Sequence, residues 1–245
     1  MTNIKLVFSY DGSRYYGSQI QPQKKTVAYE FEKIFKKLNI NSKLILSGRT
    51  DKNVHATNQV ANIFVPPFWT DMKKLFHIIS TQLPKSIELK SLSEVSPTFH
   101  ARFSAKKRVY RYIITQKKPS VYQEPYITYH KEQIDKNLIT SSMKEFVGRY
   151  DFRNFSKDLP KEQNSIREIY EAKFYKHKDI YLFKFVANSF LRGQIRLMVA
   201  LLLDISSKKA NKKDIKQMLF LKTKKQLTQA PPNGLYLTKI FYKTY

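Results

Sequence analysis

The chain has no cysteine in its 245 residues. That excludes disulfides, thiolate nucleophiles and Cys-ligated zinc, and it suits a reducing compartment. Glycine is scarce, six residues spread singly, so no Gly-rich loop is available to cradle a nucleotide triphosphate. The five histidines, at 55, 77, 100, 130 and 177, are scattered, whereas a catalytic zinc usually takes three protein ligands; no metal site is expected. Long apolar runs are missing too. The longest, Leu197 to Leu203, is far too short to span a bilayer. Met1-Thr2-Asn3-Ile4-Lys5-Leu6 enters a strand pattern at once, without signal-peptide architecture, and a cytoplasmic, membrane-free protein is expected. Acids are few: 19 against 45 basic residues, a net charge of +26.

What is present points to a folded, polyanion-binding protein. Hydrophobic residues make up 42% and aromatics 14%, a composition able to build a core. Lysine outnumbers arginine 35 to 10. Compositional drift toward lysine would bring glutamate with it, and the acids stay scarce. The excess therefore reads as a surface for nucleic acid, with an acidic membrane surface as the second reading.

Periodicity orders the chain into two similar halves. Ile4, Leu6 and Phe8 alternate as a half-buried strand, closed by the turn Tyr10-Asp11-Gly12-Ser13. After the aromatic, basic loop Arg14 to Gln19, Thr26 caps a helix whose face is Val27, Phe31, Phe35 and Leu38. Strands are expected at 43–47 and 58–65, then a helix capped by Thr70 with the stripe Leu75, Ile79 and Leu83, then a strand from Ile87 to Val95. Residues 99–108 read as a linker. The second half gives a strand at Val109 to Ile114, a helix with Ile134, Leu138 and Phe146, strands at 166–175 and 180–188, a helix over 189–206, a short basic helix near 212–220 and a strand from Leu235 to Tyr242. Strand-helix-strand-strand-helix-strand, repeated, predicts an α+β chain of two ferredoxin-like (RRM-like) units with antiparallel sheets and helices on one face. The expected domains are 1–105 and 106–245, with an active-site cleft between them.

Several stretches could carry chemistry. Ser47-Gly48-Arg49-Thr50-Asp51-Lys52-Asn53-Val54-His55-Ala56 sets turn-forming and charged residues between two apolar runs. Gly48 and Asn53 tolerate a positive φ. Arg49 and Asp51 project to one side of an extended segment, and a guanidinium near a carboxylate keeps it ionised. The loop is either a surface hairpin with an incidental ion pair or the presenter of a reactive carboxylate. Arg192 and Arg196 are spaced i, i+4 and would share a helix face, as a solvated surface or as a phosphate contact. Tyr110 and Tyr112 share a strand face opposite Arg111, as packing or as a stacking platform. Ala230 to Leu237 reads as a stiff turn feeding a strand.

Together these segments resemble the TruA-type tRNA pseudouridine synthases from end to end. Tyr10-Asp11-Gly12 with Tyr15 to Gln19, Gly48-Arg49-Thr50-Asp51 with Val54-His55, Phe99 to Ala105 with Tyr110 and Tyr112, Phe190 with Arg196, and Gly234-Leu235-Tyr236-Leu237 fall in the order of that family's motifs. The resemblance implies conversion of uridine to pseudouridine at positions 38, 39 and 40 of the tRNA anticodon arm, without cofactor, by a homodimer whose subunits share one tRNA. It implies that Asp51 is the catalytic aspartate, that Arg49 occupies the space beside a flipped base, and that Tyr110 stacks on the uracil. It also implies that Arg196 pairs with Asp51 and that Leu235 lines the pocket. Lys52-Asn53 stands where the family usually has Ala-Gly, Ser18 where a Trp is common, and Ala200 where a Gly is usual. An ionised carboxylate suits either nucleophilic attack or abstraction of a sugar proton. The competing expectation is a non-catalytic, double-domain RNA-binding protein with the same charge.

Overall fold

The computed structural model describes residues 1–160 and 162–242. The chain is mixed α+β and separates into two compact units: residues 1–106 with the segment from Tyr236 onward, and residues Lys107–Leu235.

The first unit is built on β1 (Thr2–Tyr10), β2 (Ile45–Leu46), β3 (His55–Val65) and β4 (Ile87–Glu94), with helices α1 (Val27–Lys37) and α2 (Met72–Gln82). β1 lies between β4 and β3, antiparallel to both, and β2 pairs with β3. The alternation in β1 does what its period requires: Ile4, Leu6 and Phe8 are fully buried. Phe8 meets Phe31 of α1 at 4.7 Å between ring centroids, and each such buried ring is worth about 1.5–3 kcal/mol over an exposed one. Thr26 caps α1, its Oγ1 accepting from Tyr29 N–H at 3.3 Å. α2 is capped one residue later than expected. Asp71, not Thr70, accepts from Lys74 N–H at 2.9 Å, and a carboxylate also meets the positive end of the helix dipole. The expected strand at 43–47 shrinks to two residues, although Ser47 N–H still donates to Val60 carbonyl at 2.8 Å. The strand β10 (Leu235–Tyr242) joins β3 in parallel through Tyr236↔His55 and Leu237↔Ala56.

A buried polar network ties the far end of this sheet to the segment that follows β4. Asn62 Nδ2 donates to Asn3 Oδ1, Asn3 Nδ2 donates to the carbonyls of Ser96 and Phe99, and Ala101 N–H donates to Asn62 Oδ1, all at 2.8–2.9 Å. The segment read as a shapeless linker is therefore anchored, and pairing resumes within it at Ala105.

The second unit contains β5 (Ala105–Thr115), β6 (Thr128–Tyr129), β7 (Gly148–Asp151), β8 (Ile166–His177) and β9 (Ile180–Ala187), with α3 (Lys136–Met143), α4 (Gln194–Ser206) and α5 (Lys212–Leu219). Its antiparallel order is β5-β9-β8-β7, and β6 adds to β5 in parallel. β6 and β7 are short and were not visible as periodic segments. α4 starts at Gln194 rather than 189, because Gly193 holds φ 73° at its N-cap, a left-handed turn that suits glycine. Leu191 and Arg192 therefore precede the helix, and Arg192 does not share a helix face with Arg196. It is exposed and lies 3.7 Å from Asp158. α4 is also buried over most of its surface, Leu197 to Val199, Leu201 to Leu203 and Ile205 included, with Arg196, Ala200 and Asp204 half-buried along one line, so it is a core helix with one narrow accessible stripe. Among the described residues no helix is long and apolar enough to cross a membrane.

The turn after β1 depends on one close approach. Asp11 caps the short 3-10 helix Gly12–Arg14, and a Cβ on Gly12 would stand 2.0 Å from the Val54 carbonyl oxygen. Backbone cannot retreat from such an atom as a flexible side chain could. Gly12→Ala is expected to cost about 2 kcal/mol and to lower the melting temperature by about 4–8 °C; thermal unfolding followed by circular dichroism checks it, and an unchanged melting temperature would refute it.

Candidate active-site loop

The loop between β2 and β3 is fixed through Thr50. Ser18 holds this residue's backbone in both directions: Ser18 N–H donates to Thr50 carbonyl at 3.1 Å, and Thr50 N–H donates to Ser18 Oγ at 2.9 Å. Thr50 Oγ1 also lies 2.8 Å from Tyr10 Oη. The Tyr10 phenol is pushed up to about 12, chiefly by burial and against the opposing hydrogen bonds from Thr50, Gln59 and Ser18, so it stays a neutral hydroxyl. Gln59 holds the approach to the loop. Its Nε2 donates to Gly48 carbonyl at 3.1 Å, and its Oε1 accepts from Ser47 Oγ at 2.7 Å.

Ser18 is itself fixed by α1. Val27 N–H donates to Gly17 carbonyl and Ala28 N–H to Ser18 carbonyl, at 3.2 and 3.0 Å. This satisfies two of the amide groups left over at a helix start. Gly17 has φ 105°, and a Cβ there would meet Thr50 carbonyl oxygen at 2.8 Å. Glycine is required on both counts.

Asp51 follows Thr50 and opens a turn. Its carbonyl accepts from Val54 N–H at 3.2 Å, and Asn53 takes φ 63° while Lys52 does not enter the positive region. A single positive φ at the third position is the type II pattern. Asn53 thus fills the place where a glycine is usual, and Gly48, the other residue expected to need a positive φ, does not use one. Asp51 is half-buried and engaged. Arg49 is exposed and makes no ion pair among the described residues.

On the far side of the turn, His55 opens β3. Its Nδ1 lies 3.0 Å from Gly12 N and 3.5 Å from Asp11 Oδ1. Its ring stacks on Tyr236 at 4.7 Å and 18°. His55 is therefore a buried spacer of the loop. Beside Asp51, Tyr16 is 44% exposed, with Lys52 Nζ 4.4 Å and Lys24 Nζ 4.9 Å from its ring centroid. This aromatic, doubly cationic surface suits a polyanion carrying stacked bases.

Tyr110, Arg196 and Leu235 belong to the second unit. Tyr110 is buried on β5, with the Phe190 ring edge-on at 5.2 Å. Its strand neighbour Tyr112 is a core residue: fully buried, its Oη donating to Pro231 carbonyl at 2.7 Å and lying 2.9 Å from Thr128 Oγ1. Burial raises the Tyr112 pKa strongly, while Thr128 and the Arg196 charge act against that rise. Arg196, half-buried on α4, donates from Nε to Ala230 carbonyl at 2.6 Å, and Ala230 N–H donates back to Arg196 carbonyl at 3.2 Å. Asn233 braces the following turn, its Nδ2 donating to the carbonyls of Glu124 and Ile127 at 2.7 and 3.1 Å. Leu235, buried, leaves that turn as the first residue of β10.

Sequence reasoning did not find Tyr10 and Gln59 as supports of the loop. The available signal was Gln59, a polar side chain at an inward position of an apolar strand, which must be hydrogen-bonded if buried; it is fully buried.

Comparison with known proteins places the chain in a family. A model of a tRNA pseudouridine synthase family matches residues 143–243. The chain is 36% identical over 242 residues to tRNA pseudouridine synthase A of Campylobacter jejuni, covering 99% of this chain and 100% of that protein. It is 34% identical to the proteins of the same name from Wolinella succinogenes, over 100% of this chain and 96% of that one, and from Helicobacter pylori, over 99% and 100%. With identity at this level along the whole chain, and with the Gly48-Arg49-Thr50-Asp51 loop held as described, the chain belongs to the tRNA pseudouridine synthase A family.

Proposed function

We propose that the protein isomerises uridine to pseudouridine in the anticodon stem-loop of tRNA, at positions 38, 39 and 40, with Asp51 as the catalytic carboxylate. The observation that carries the reading is the rigid presentation of Asp51, on a loop clamped through Thr50, in a chain related over its whole length to proteins of that name. The reaction breaks the N1–C1′ bond of uridine, turns the base and joins C5 to C1′; C5 loses a proton and N1 gains one, so the product is an isomer of the substrate. It balances without oxidant, nucleotide or metal.

The target base must leave its stack, which costs a few kcal/mol. Arg49 is available for insertion into the vacated space, since no ion pair among the described residues holds it. Tyr110 is assigned to stacking on the uracil, Arg196 to pairing with Asp51, and Leu235 to the wall beside the base. The lysine-flanked Tyr16 surface and the net charge of +26 support an RNA substrate, with affinity falling steeply as salt rises. A cytoplasmic homodimer whose subunits share one tRNA completes the reading.

Two substitutions test it. Asp51→Asn keeps shape and removes the charge; it should abolish pseudouridine formation by at least about a thousandfold while tRNA binding persists, as read by pseudouridine mapping and filter binding. Modification at the wild-type rate would sink the assignment and leave an RNA-binding protein. Ser18→Ala leaves the buried Thr50 N–H without its acceptor, at a cost of about 1–3 kcal/mol. Because the acid is displaced rather than removed, kcat should drop about ten- to a hundredfold with KM for tRNA nearly constant. A change in KM alone would show that Ser18 contacts RNA instead of holding the loop.

A further inference from the structure

The second unit carries a concavity whose lining is rich in uncommitted hydrogen-bond donors. It measures about 240 Å³ and is lined by Arg149, Asn164, Ile166, Arg167, Glu168 and Asn188, where β7, β8 and the end of β9 meet. None of these residues was singled out in the sequence, and none belongs to the Asp51 loop.

Donors and acceptors can be counted around it. Asn188 Oδ1 accepts twice, from Glu168 N–H at 3.1 Å and Ser189 N–H at 2.7 Å. That fixes its amide orientation and leaves Nδ2 over as a donor. Asn164 Oδ1 accepts from Ile166 N–H at 2.8 Å, so its Nδ2 is left over in the same way. Arg167 directs Nη1 to the carbonyls of Asn164 and Ile166, at 3.1 and 2.7 Å, which aims the guanidinium, but its Nε is buried and has no partner among the described residues. Arg149, opposite Glu168 in the β7–β8 register, is exposed, and its side chain makes no hydrogen bond or ion pair among the described residues.

Charge is unbalanced at the same place. Burial and the neighbouring Arg108 both lower the Arg167 pKa, and Asp151 only partly offsets them. Arg108 is itself buried, its Nη1 donating to Asn188 carbonyl at 2.6 Å. Glu168 is the acid on the lining. Its carboxylate faces the Tyr170 hydroxyl, whose pKa is raised by burial first and by Glu168 second, and Lys107 Nζ lies over the Tyr170 ring at 4.9 Å. A desolvated guanidinium with a like charge beside it is costly unless an anion is supplied. Two guanidiniums and two amide NH₂ groups around one opening match a tetrahedral oxyanion, which takes several N–H donors at once.

We propose that this concavity is a phosphate-binding site that takes one backbone phosphodiester of the substrate RNA, away from the reacting uridine. The assignment to RNA rests on the proposed tRNA reaction; the chemistry of the ligand, a phosphate oxyanion, rests on the donors.

The test compares wild type with Arg149→Gln, a change at an exposed side chain that leaves the fold intact, and with Arg149→Lys and Arg167→Gln. Binding of unmodified tRNA is measured between 50 and 200 mM salt, and pseudouridine formation by the wild type is mapped in parallel. Arg149→Gln should weaken binding by about five- to tenfold and reduce the salt slope by about one, as loss of a phosphate contact does. Arg149→Lys should restore the slope but only part of the affinity, since an ammonium does not replace a planar fork. Arg167→Gln, checked for folding by its melting curve, should behave like Arg149→Gln. Unchanged affinity and slope in Arg149→Gln would overturn the site, even with pseudouridine forming normally. Failure of the wild type to modify tRNA would strike the functional reading alone, because the slope change can still be measured on bound RNA. Titration with inorganic phosphate, followed by NMR of the arginine Nε–H signals, provides the third arm. A shift with phosphate but no slope change with tRNA would assign the site to free phosphate and refute the RNA contact.

Discussion

One backbone amide organises the first unit. Thr50 N–H is buried beside the half-exposed Asp51, and its acceptor is the hydroxyl of Ser18, thirty-two positions earlier. A buried amide without an acceptor costs about 1–3 kcal/mol, so the two loops hold each other in place or both loosen. Everything around them follows from that dependence. Gly17 is a glycine because the loops approach too closely for a Cβ. Tyr10 stays neutral because its hydroxyl sits in the same dry seam. Gln59 is a polar residue on an apolar strand because Gly48 carbonyl needs a donor. The fold thereby delivers one carboxylate at a fixed place, the condition under which positioning contributes most to rate.

Charge acts at a different range. The lysine excess supplies a diffuse field that attracts a polyanion and weakens with salt. Several of the ten arginines are used locally. Arg196 is hydrogen-bonded to Ala230 carbonyl, and Arg153 donates to the carbonyls of Pro160 and Gln163 at 3.1 and 3.0 Å. A guanidinium can satisfy backbone carbonyls while remaining charged, which a lysine does less well. Arg153 and Arg196 thus add short-range placement to the long-range attraction of the lysine excess.

The parts of this structure that were legible in the sequence are those governed by period and by cap chemistry. β1 could be read because burial alternates from Ile4 to Tyr10, and the α1 start because Thr26 stands directly before the apolar face. β10 begins where its pattern does. The failures share a physical origin in contacts between distant residues. β7 is four residues long and exists through pairing with β8. The α4 boundary depends on the positive φ of Gly193, which no periodicity signals. For the site, the motif pointed to Asp51 and Arg49, but their supports at Tyr10, Ser18 and Gln59 lie 8 to 41 positions away and could be found only in three dimensions.

The departures from the family pattern at Asn53, Lys52 and Ser18 make sense on this footing. Asn53 serves because the type II turn after Asp51 needs one residue at positive φ, and asparagine tolerates it. Lys52 gains a place on Tyr16, and a cation next to the acid adds attraction for a phosphate chain. Ser18 matters most. Its side chain is turned inward onto Thr50, so it offers RNA no surface in the way an aromatic ring at that position would. The aromatic surface of this loop is carried instead by Tyr16, two residues earlier, with Lys24 and Lys52 over its ring. Under the proposed function, the acid's position and the contact with RNA fall to separate residues: Ser18 holds the loop of Asp51 through Thr50, and Tyr16 presents an exposed ring flanked by Lys24 and Lys52.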